Sequence, residues 1–292
     1  MKVRKLLIGL TFSLFLFTQW SCEVINPEED IPAYLNIASF TLADNAGIEE
    51  FSLGSKIVAA NVLVNERSVG VIPIPGTIPV FADGEATISL DPLVQLNGAG
   101  DALQIYPFWE RVILSETLTV NDTLIINPQT KYLSEATVFG SDFSGNDILF
   151  AQDLDENLQT FVSVTGEGAQ PGEGTAGRIV LTSENSRFDG ATAEAELIDV
   201  SNATRAYLEV QYKTDTNLIF GILDKTDNTG TIFREYGVLP KDSWNTIYFD
   251  MNALLLTQGI GRFQLTLSAS YPTGSGLDEA IILLDNIKVV YL

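Results

Sequence analysis

The sequence predicts an all-β protein built from two β-sandwich domains. Short runs of alternating apolar and polar residues, rich in β-branched side chains, recur along the chain and are broken by Gly, Asn, Asp and Pro. This pattern is typical of sandwiches and barrels, and helical spacing of apolar residues is almost absent. The 292 residues are enough for one large or two ordinary domains. Asn127-Pro128, which follows an apolar run, predicts a boundary between two domains.

The first 21 residues have the pattern of a secretory signal peptide. The basic segment Met1–Lys5 precedes the apolar run Leu6–Phe17, and the small residue Ser21 stands just before Cys22. The apolar run is too short to span a bilayer, which takes about 20 residues. A membrane anchor or a buried helix is the alternative interpretation. We therefore predict that residues 1–21 direct export.

Phe17–Cys22 resembles a relaxed lipobox, the site at which bacterial lipoproteins are acylated and cleaved. Cys22 is the only cysteine, so the chain has no intrachain disulfide to form. Residues 22–32 are polar and contain prolines, which predicts a lipid-anchored tether. The acidic residues close behind the cysteine resemble surface-export signals of Bacteroidetes-type lipoproteins. The resemblance implies an outer-membrane protein that is anchored by lipid on Cys22 and faces the cell exterior.

Composition excludes several classes of function. The formal net charge is −22, which repels nucleic acid and anionic lipid, so we expect no nucleic-acid role. The chain has no histidine, which excludes Ser-His-Asp catalysis and histidine-ligated metal sites. Carboxylate chemistry and oxygen-ligated calcium sites remain possible.

Residues 33–130 are predicted to form the first β domain. Its expected strands are Ala33–Leu42, Ile57–Val64, Ser68–Ile72, Ile78–Phe81, Glu85–Leu90, Leu103–Pro107, Ile113–Val120 and Thr123–Ile126. The segment Val62–Ile74 is predicted to form a hairpin, and Asp83-Gly84 predicts a turn between two strands. Val69–Pro73 followed by Asp83-Gly84 resembles the PEGA-type surface module. That resemblance implies a PEGA-like or Ig-like accessory domain without catalytic function.

Tyr106–Trp109 is the densest aromatic cluster of the sequence. Exposed aromatic side chains could stack on a sugar or a partner, whereas buried ones would form a core corner of a β domain. We favour burial because large aromatic side chains usually supply core area.

Residues 131–292 are predicted to form the second domain. Its expected strands are Arg178–Thr182, Ala191–Ile198, Arg205–Thr214, Leu218–Leu223, Gly230–Tyr236, Asn245–Met251, Arg262–Ser268 and Ala280–Tyr291. Three segments, Trp244–Asp250, Arg262–Leu267 and Ile281–Val289, resemble strands of carbohydrate-binding, galactose-binding-like jelly rolls. The resemblance implies a jelly-roll sandwich, a fold whose members include glycan-binding, scaffolding and adhesion modules.

The alternation of apolar and polar residues along these strands predicts a ligand-binding face. Leu208, Val210 and Tyr212 are expected to face the core, and so are Ile247 with Phe249 and Phe263 with Leu265 and Leu267. Arg234 and Tyr236 are expected to share one face of their strand. If the polar faces lie on one sheet, they form a shallow glycan-binding face of Tyr207, Gln211, Arg234, Tyr236, Tyr248 and Gln264. A solvated outer sheet with scattered tyrosines is the alternative.

The jelly-roll resemblance also implies a structural calcium ion. Asp285 matches the aspartate of the closing strand that often helps to hold calcium in such domains. Asp142 or Asp147 could supply further oxygen ligands. Alternatively, Asp285-Asn286 satisfies backbone groups in a turn or bulge.

These features predict a non-enzymatic lipoprotein that binds a polysaccharide or other glycan at the cell surface. A structural or adhesion lipoprotein that contacts other envelope proteins is the main alternative. A glycosidase would need two facing carboxyl groups about 5 to 9.5 Å apart. Nothing in the sequence marks such a pair among its 38 acidic residues.

Overall fold

The computed structural model describes residues 30–43, 54–98, 103–145, 148–171, 174–227 and 230–292. The predicted signal peptide, Cys22 and Asp147 lie outside the described residues, as does most of the predicted tether. None of the helices in the described ranges has the length and apolar character needed to cross a bilayer.

The described residues of the first part of the chain form ten strands. They are β1 (Ala33–Ile37), β2 (Thr41–Leu42), β3 (Ala59–Val64), β4 (Arg67–Pro73), β5 (Gly76–Val80), β6 (Gly84–Gln95), β7 (Leu103–Ile105), β8 (Val112–Leu118), β9 (Thr123–Ile126) and β10 (Gln129–Thr130). One sheet has the order β5-β1-β9, and a second has the order β4-β3-β6-β7 with β8 also paired to β6. The short strands β2 and β10 form a parallel pair.

The two larger sheets enclose one apolar core. Leu35 and Ile37 of β1 contribute to it from one sheet, and Val62, Ile88 and Leu90 contribute from the other. The predicted hairpin is confirmed, since β3 and β4 pair antiparallel. Its two turn residues, Asn65 and Glu66, both have positive φ angles, the backbone that a tight two-residue hairpin turn requires.

In the second part of the chain, the residues that the structure describes form twelve strands and one short helix. They are β11 (Thr137–Ser141), β12 (Gln152–Asp153), β13 (Ser163–Thr165), β14 (Ala176–Leu181), β15 (Arg187–Ala191), β16 (Ile198–Asp199), β17 (Ala206–Thr214), β18 (Leu218–Asp224), β19 (Ile232–Val238), β20 (Lys241–Asp250), α1 (Asn252–Gln258), β21 (Arg262–Ser270) and β22 (Ala280–Tyr291).

These strands form a sandwich of two sheets. The first C-terminal sheet has the order β13-β14-β22-β17-β20, with β11 also paired to β22. The second C-terminal sheet has the order β12-β15-β21-β18-β19, with β16 also paired to β21. Leu208 and Val210 face Phe263, Leu265 and related residues in the shared core. The predicted all-β class, with a jelly-roll-like sandwich at the C-terminal end, is confirmed.

The elements of this half differ in places from the predicted ones. The predicted strand Ala191–Ile198 is wrong, because β15 ends at Ala191 and residues 192–197 form a loop before β16. The helix α1 was not predicted. It is only 7 residues long and ends at Gly259, whose left-handed φ of 68° closes the helix by a bond from its N–H to the Leu255 carbonyl.

The two halves of the chain pack against each other through a cluster of aromatic residues. Its buried members are Leu42, Val94, Leu96, Tyr106, Phe108, Trp109, Tyr132, Tyr207, Tyr248 and Val290. The predicted burial of Tyr106–Trp109 is confirmed. The segment packs against the C-terminal sandwich and not within the core of its own domain. The expectation of a core corner within one domain is therefore wrong.

Candidate functional site

The structure does not bring the six predicted ligand-binding residues together. Tyr207 and Gln211 lie on β17 and Tyr248 on β20, in the first C-terminal sheet. Arg234 and Tyr236 lie on β19 and Gln264 on β21, in the second sheet. The expectation of a single shared face is wrong because β17 and β20 belong to one layer of the sandwich and β19 and β21 to the other.

Tyr207, Gln211 and Tyr248 point outward from the first sheet, but they are covered by the N-terminal half of the chain. Each is at most 2% exposed. The Tyr248 hydroxyl accepts a hydrogen bond of 2.8 Å from the backbone N–H of Lys56, and burial raises its pKa well above the usual value. Burial, followed by the nearby Asp250 carboxylate, raises the pKa of Tyr207 to about 12. These three side chains therefore form part of a domain interface.

A β-bulge separates Arg234 from Tyr236. Phe220 pairs with Tyr236, whereas the next residue, Gly221, pairs with Arg234, so Glu235 is an extra residue in β19. An extra residue reverses the face on which the following side chains lie. Tyr236 therefore lies in the core, with its ring centroid 5.4 Å from that of Phe249. The prediction that Arg234 and Tyr236 share a face is wrong.

Arg234 belongs to a charged network on the outer face of the second C-terminal sheet. Its Nη2 lies 2.5 Å from Asp189 Oδ2, and Arg187 Nη2 lies 2.6 Å from the same oxygen. Ser268 Oγ donates a 2.6 Å hydrogen bond to Asp189 Oδ1 and accepts one of 3.0 Å from Arg234 Nε. We call Arg187, Asp189, Arg234 and Ser268 the arginine network.

Glycine 221 makes room for this network. Asp189 and Ser268 are neighbours on paired strands, but Arg234 must reach them across β18. A Cβ atom at Gly221 would lie 2.3 Å from the Phe233 carbonyl oxygen and 2.8 Å from Thr266 Oγ1. Glycine at this position therefore avoids a steric clash with β19 and with Thr266 on the outer face.

The network keeps Asp189 ionised. Burial alone would raise the pKa of Asp189, but hydrogen bonds from Ser268, Arg187 and Arg234 together lower it below the usual value. The Asp189 side chain is 2% exposed, whereas those of Arg187 and Arg234 are 59% and 36% exposed. The carboxylate thus anchors two guanidinium groups that remain open to solvent.

Gln264 lies on the same outer face, beneath the surface. Its Nε2 donates a 2.6 Å hydrogen bond to Gln152 Oε1 and a second to the Thr192 carbonyl. Gln264 Oε1, Thr266 Oγ1 and Thr192 Oγ1 are buried and have no hydrogen-bond partner among the described residues. Such atoms are rare in folded proteins and call for a bound water or another polar partner.

Two of the three predicted calcium ligands, Asp285 and Asp142, lie within the described residues. Asp285 is fully buried on β22, and its Oδ1 accepts a 2.8 Å hydrogen bond from the Asn286 backbone N–H. Asp142 Oδ1 accepts a 2.9 Å bond from the Ser144 backbone N–H. Asp147 lies outside the described residues. Within the described ranges, no group of three acidic side chains is placed to hold a metal, and calcium binding stays a prediction.

Sequence reasoning found Arg234 and missed its partners. The segment Arg187-Phe188-Asp189 places two charged residues on either side of a core phenylalanine, which is the alternation of a half-buried strand. The predicted strand began later, at Ala191, and so excluded both charges. The outward orientation of Gln264, between the core residues Phe263 and Leu265, is confirmed.

No protein-family model matches the chain, and no curated protein sequence matches it. Solved structures that are similar to about half of this chain include several carbohydrate-binding modules. The family 30 module of a cellulosomal cellulase from Clostridium thermocellum is 12% identical, with a TM-score of 0.39 over 53% of this chain and 96% of that one. The CBM22-2 xylan-binding domain of Paenibacillus barcinonensis is 11% identical, with a TM-score of 0.36 over 53% of this chain and 99% of that one.

An exo-β-agarase is also similar, at 14% identity and a TM-score of 0.40 over 52% of this chain. The match covers 24% of the length of that enzyme.

Proposed function

We propose that this protein is a non-enzymatic, lipid-anchored surface protein that binds carbohydrate on the outer face of its second C-terminal sheet. The arginine network is the observation that carries the proposal. It holds two partly exposed guanidinium groups at fixed positions on a face that the N-terminal half of the chain does not cover in the interface described above.

The hydrogen-bonding capacity of the network suits a ligand rich in hydroxyl groups. An arginine side chain has five N–H donors in a rigid plane. Arg234 uses two nitrogens, Nε and Nη2, within the network, and Arg187 uses one. The remaining donors can bind neighbouring sugar hydroxyls. Because the guanidinium groups are already held by Asp189, binding costs little side-chain entropy.

An apolar side chain lies beside the network. Ile219 pairs with Ser268 across β18 and β21 and is 38% exposed. Sugar rings present C–H groups as well as hydroxyls, so an apolar contact next to hydrogen-bond donors matches both kinds of surface.

Membrane attachment and export are supported by the sequence alone. The basic start, the apolar run and the single cysteine after it form the lipobox-like pattern around Cys22. A lipid on this cysteine would hold the sandwiches at a membrane, and the acidic residues that follow favour the outer face of the outer membrane.

The chemistry of the network supports the proposed non-catalytic role. The lowered pKa of Asp189 makes its carboxyl a poor proton donor at neutral pH. Its hydrogen bonds to Ser268 and to the arginines occupy both carboxylate oxygens. We expect polysaccharides to be bound without release of reducing ends.

Affinity electrophoresis of the purified full-length chain in detergent tests this proposal. Gels that contain neutral and acidic polysaccharides should retard the protein with at least one of them. Arg234→Gln should lower the affinity about tenfold or more, whereas Arg67→Gln, an exposed arginine on β4, should not change it. If no polysaccharide retards the wild-type protein, the proposal fails and the adhesion alternative is favoured.

A further inference from the structure

We propose that the cleft between the two halves of the chain binds an oxyanion, the carboxylate or sulfate group of an acidic sugar. The cleft has a volume of about 480 Å³ and lies between the end of β6 and the start of β20. Its walls include Lys56, Asn97, Tyr212, Lys241 and Asn245. This proposal rests on the proposed carbohydrate binding and adds a second, positively charged site to it.

Two positive charges lie in this cleft without a carboxylate partner among the described residues. The described chain contains six lysines, and three of them have acidic partners, namely Lys131, Lys225 and Lys288. Lys56 and Lys241 both line the cleft. Burial, and then repulsion by Lys241, lowers the pKa of Lys56. Two close lysines repel each other, and a bound anion would relieve this repulsion.

Hydrogen bonds hold Lys56 in position. Its Nζ donates a 2.6 Å hydrogen bond to Asn245 Oδ1, and its backbone N–H donates to the Tyr248 hydroxyl. The Asn245 Nδ2 in turn donates a 3.1 Å bond to the Tyr212 hydroxyl. The hydrogen bonds that link Tyr212, Asn245 and Lys56 thus hold the Lys56 ammonium group at the wall of the cleft.

Lys56 and Tyr212 both offer hydrogen-bond donors on this wall. An ammonium group has three N–H donors, and Lys56 uses one of them on Asn245. The Tyr212 hydroxyl accepts from Asn245, which leaves its own O–H able to donate. A wall of donors with two positive charges selects an acceptor with negative charge over a neutral hydroxyl.

The net charge of the whole chain does not cancel this local field. The formal net charge is −22, which disfavours anions in general. At physiological ionic strength, exposed charges are screened beyond about 8 Å. The described lining of the cleft holds two lysines and no carboxylate, so we expect a positive local field there.

Calorimetric titration of the full-length protein in detergent tests the proposal. The probes are a galacturonic acid tetramer, a galactose tetramer of equal length and sodium sulfate. We expect the acidic tetramer or sulfate to bind, and the acidic tetramer to bind more tightly than the neutral one. Lys56→Met and Lys241→Met, which lie on different segments, should each weaken anion binding about tenfold. Lys225→Met, whose lysine pairs with Glu194, should leave it unchanged.

The outcomes separate this proposal from the function on which it rests. If neither anion binds, or if both cleft variants bind as tightly as wild type, the cleft proposal is overturned. Neutral glycan binding that depends on Arg234 would then still stand. Anion binding that depends on the lysines, without any effect of Arg234→Gln on any polysaccharide, would support the cleft and remove the arginine network as the sugar site.

Discussion

Glu209 and Lys288 lie side by side on the outer face of the first C-terminal sheet, with 3.9 Å between Lys288 Nζ and Glu209 Oε2. Both residues are at most 2% exposed, because the N-terminal half of the chain covers this face. Tyr106 and Tyr132 both donate hydrogen bonds to the Glu209 carboxylate. A charged group that would face solvent in an isolated sandwich thus becomes the polar centre of a domain interface.

Glu209→Ala should strongly destabilise the protein. The substitution removes the acceptor of two buried tyrosine hydroxyls and the negative partner of Lys288. Breaking a buried ion pair in this way costs about 3–5 kcal/mol, measurable as the free energy of unfolding in urea. The exposed Glu184→Ala should change it by less than about 0.5 kcal/mol. Equal effects of the two substitutions would contradict the interface described here.

Because of the arginine network, the free energy of unfolding should depend on pH in the acidic range. The folded-state pKa of Asp189 is lowered, so its contribution is present above the unfolded-state pKa of about 3.9. It is lost as the pH falls through the folded-state pKa. At pH 7, wild type should have a higher Tm than Asp189→Asn, and the difference should shrink as the pH falls below about 4. The exposed Asp278→Asn serves as control, and a difference that stayed constant between pH 7 and 3 would argue against the network.

Gly221→Ala should disturb the arginine network more than an equivalent change elsewhere on the sheet. Its Cβ would lie 2.3 Å from the Phe233 carbonyl oxygen, and such overpacking costs about 1–3 kcal/mol. Gly237→Ala on β19 is the matched control, because its Cβ would meet nothing within 4 Å. The readouts are the free energy of unfolding and polysaccharide retardation. Unchanged values for Gly221→Ala would show that the strands can move apart at no cost.

Cys22→Ser should release the protein from membranes. Acyl chains contribute about 0.8 kcal/mol for each buried methylene, and the serine hydroxyl replaces the thiol that would carry them. Mass spectrometry of the wild-type protein should detect a lipidated N-terminal cysteine without residues 1–21. The variant should lack the lipid and appear in the soluble fraction. Recovery of unmodified wild-type thiol in the soluble fraction would refute the predicted anchor.

Calcium should raise the Tm if the predicted ligands Asp142, Asp147 and Asp285 hold it. A ligand at 100 times its Kd stabilises the folded state by about 2.7 kcal/mol. Calorimetric scans in excess CaCl2 and in EDTA provide the comparison. Asp142→Asn should remove the difference and the exposed Asp242→Asn should retain it. Identical scans in calcium and EDTA would exclude the site.

The faces of single strands were predictable because side chains alternate with a period of two. Leu208 and Val210 on β17 and Phe263 with Leu265 on β21 lie in the core as expected. Arg234 and Tyr236 do not follow this alternation, because a bulge in β19 lies between them. The bulge is defined by the pairing of β19 with β18. Nothing within β19 itself marks the extra residue.

Whether a polar face is exposed to solvent or covered by another part of the chain was not predictable in the same way. Tyr207, Glu209 and Gln211 alternate with core residues, and this pattern is the same whether water or another polar surface covers them. The aromatic segment Tyr106–Trp109 is more than 90 positions away in the sequence, so its contact with β17 has no local signal.

By itself, the sequence determined the all-β class, the strand periodicity, the hairpin within Val62–Ile74 and the exclusion of histidine chemistry. These properties depend on residue type and on neighbours along the chain. The tertiary structure alone decided that Tyr207 and Tyr248 are buried between two sandwiches and that Arg187, Asp189 and Arg234 meet on one open face. Both results depend on which strands become neighbours in space, and pairing between distant strands leaves no period in the sequence.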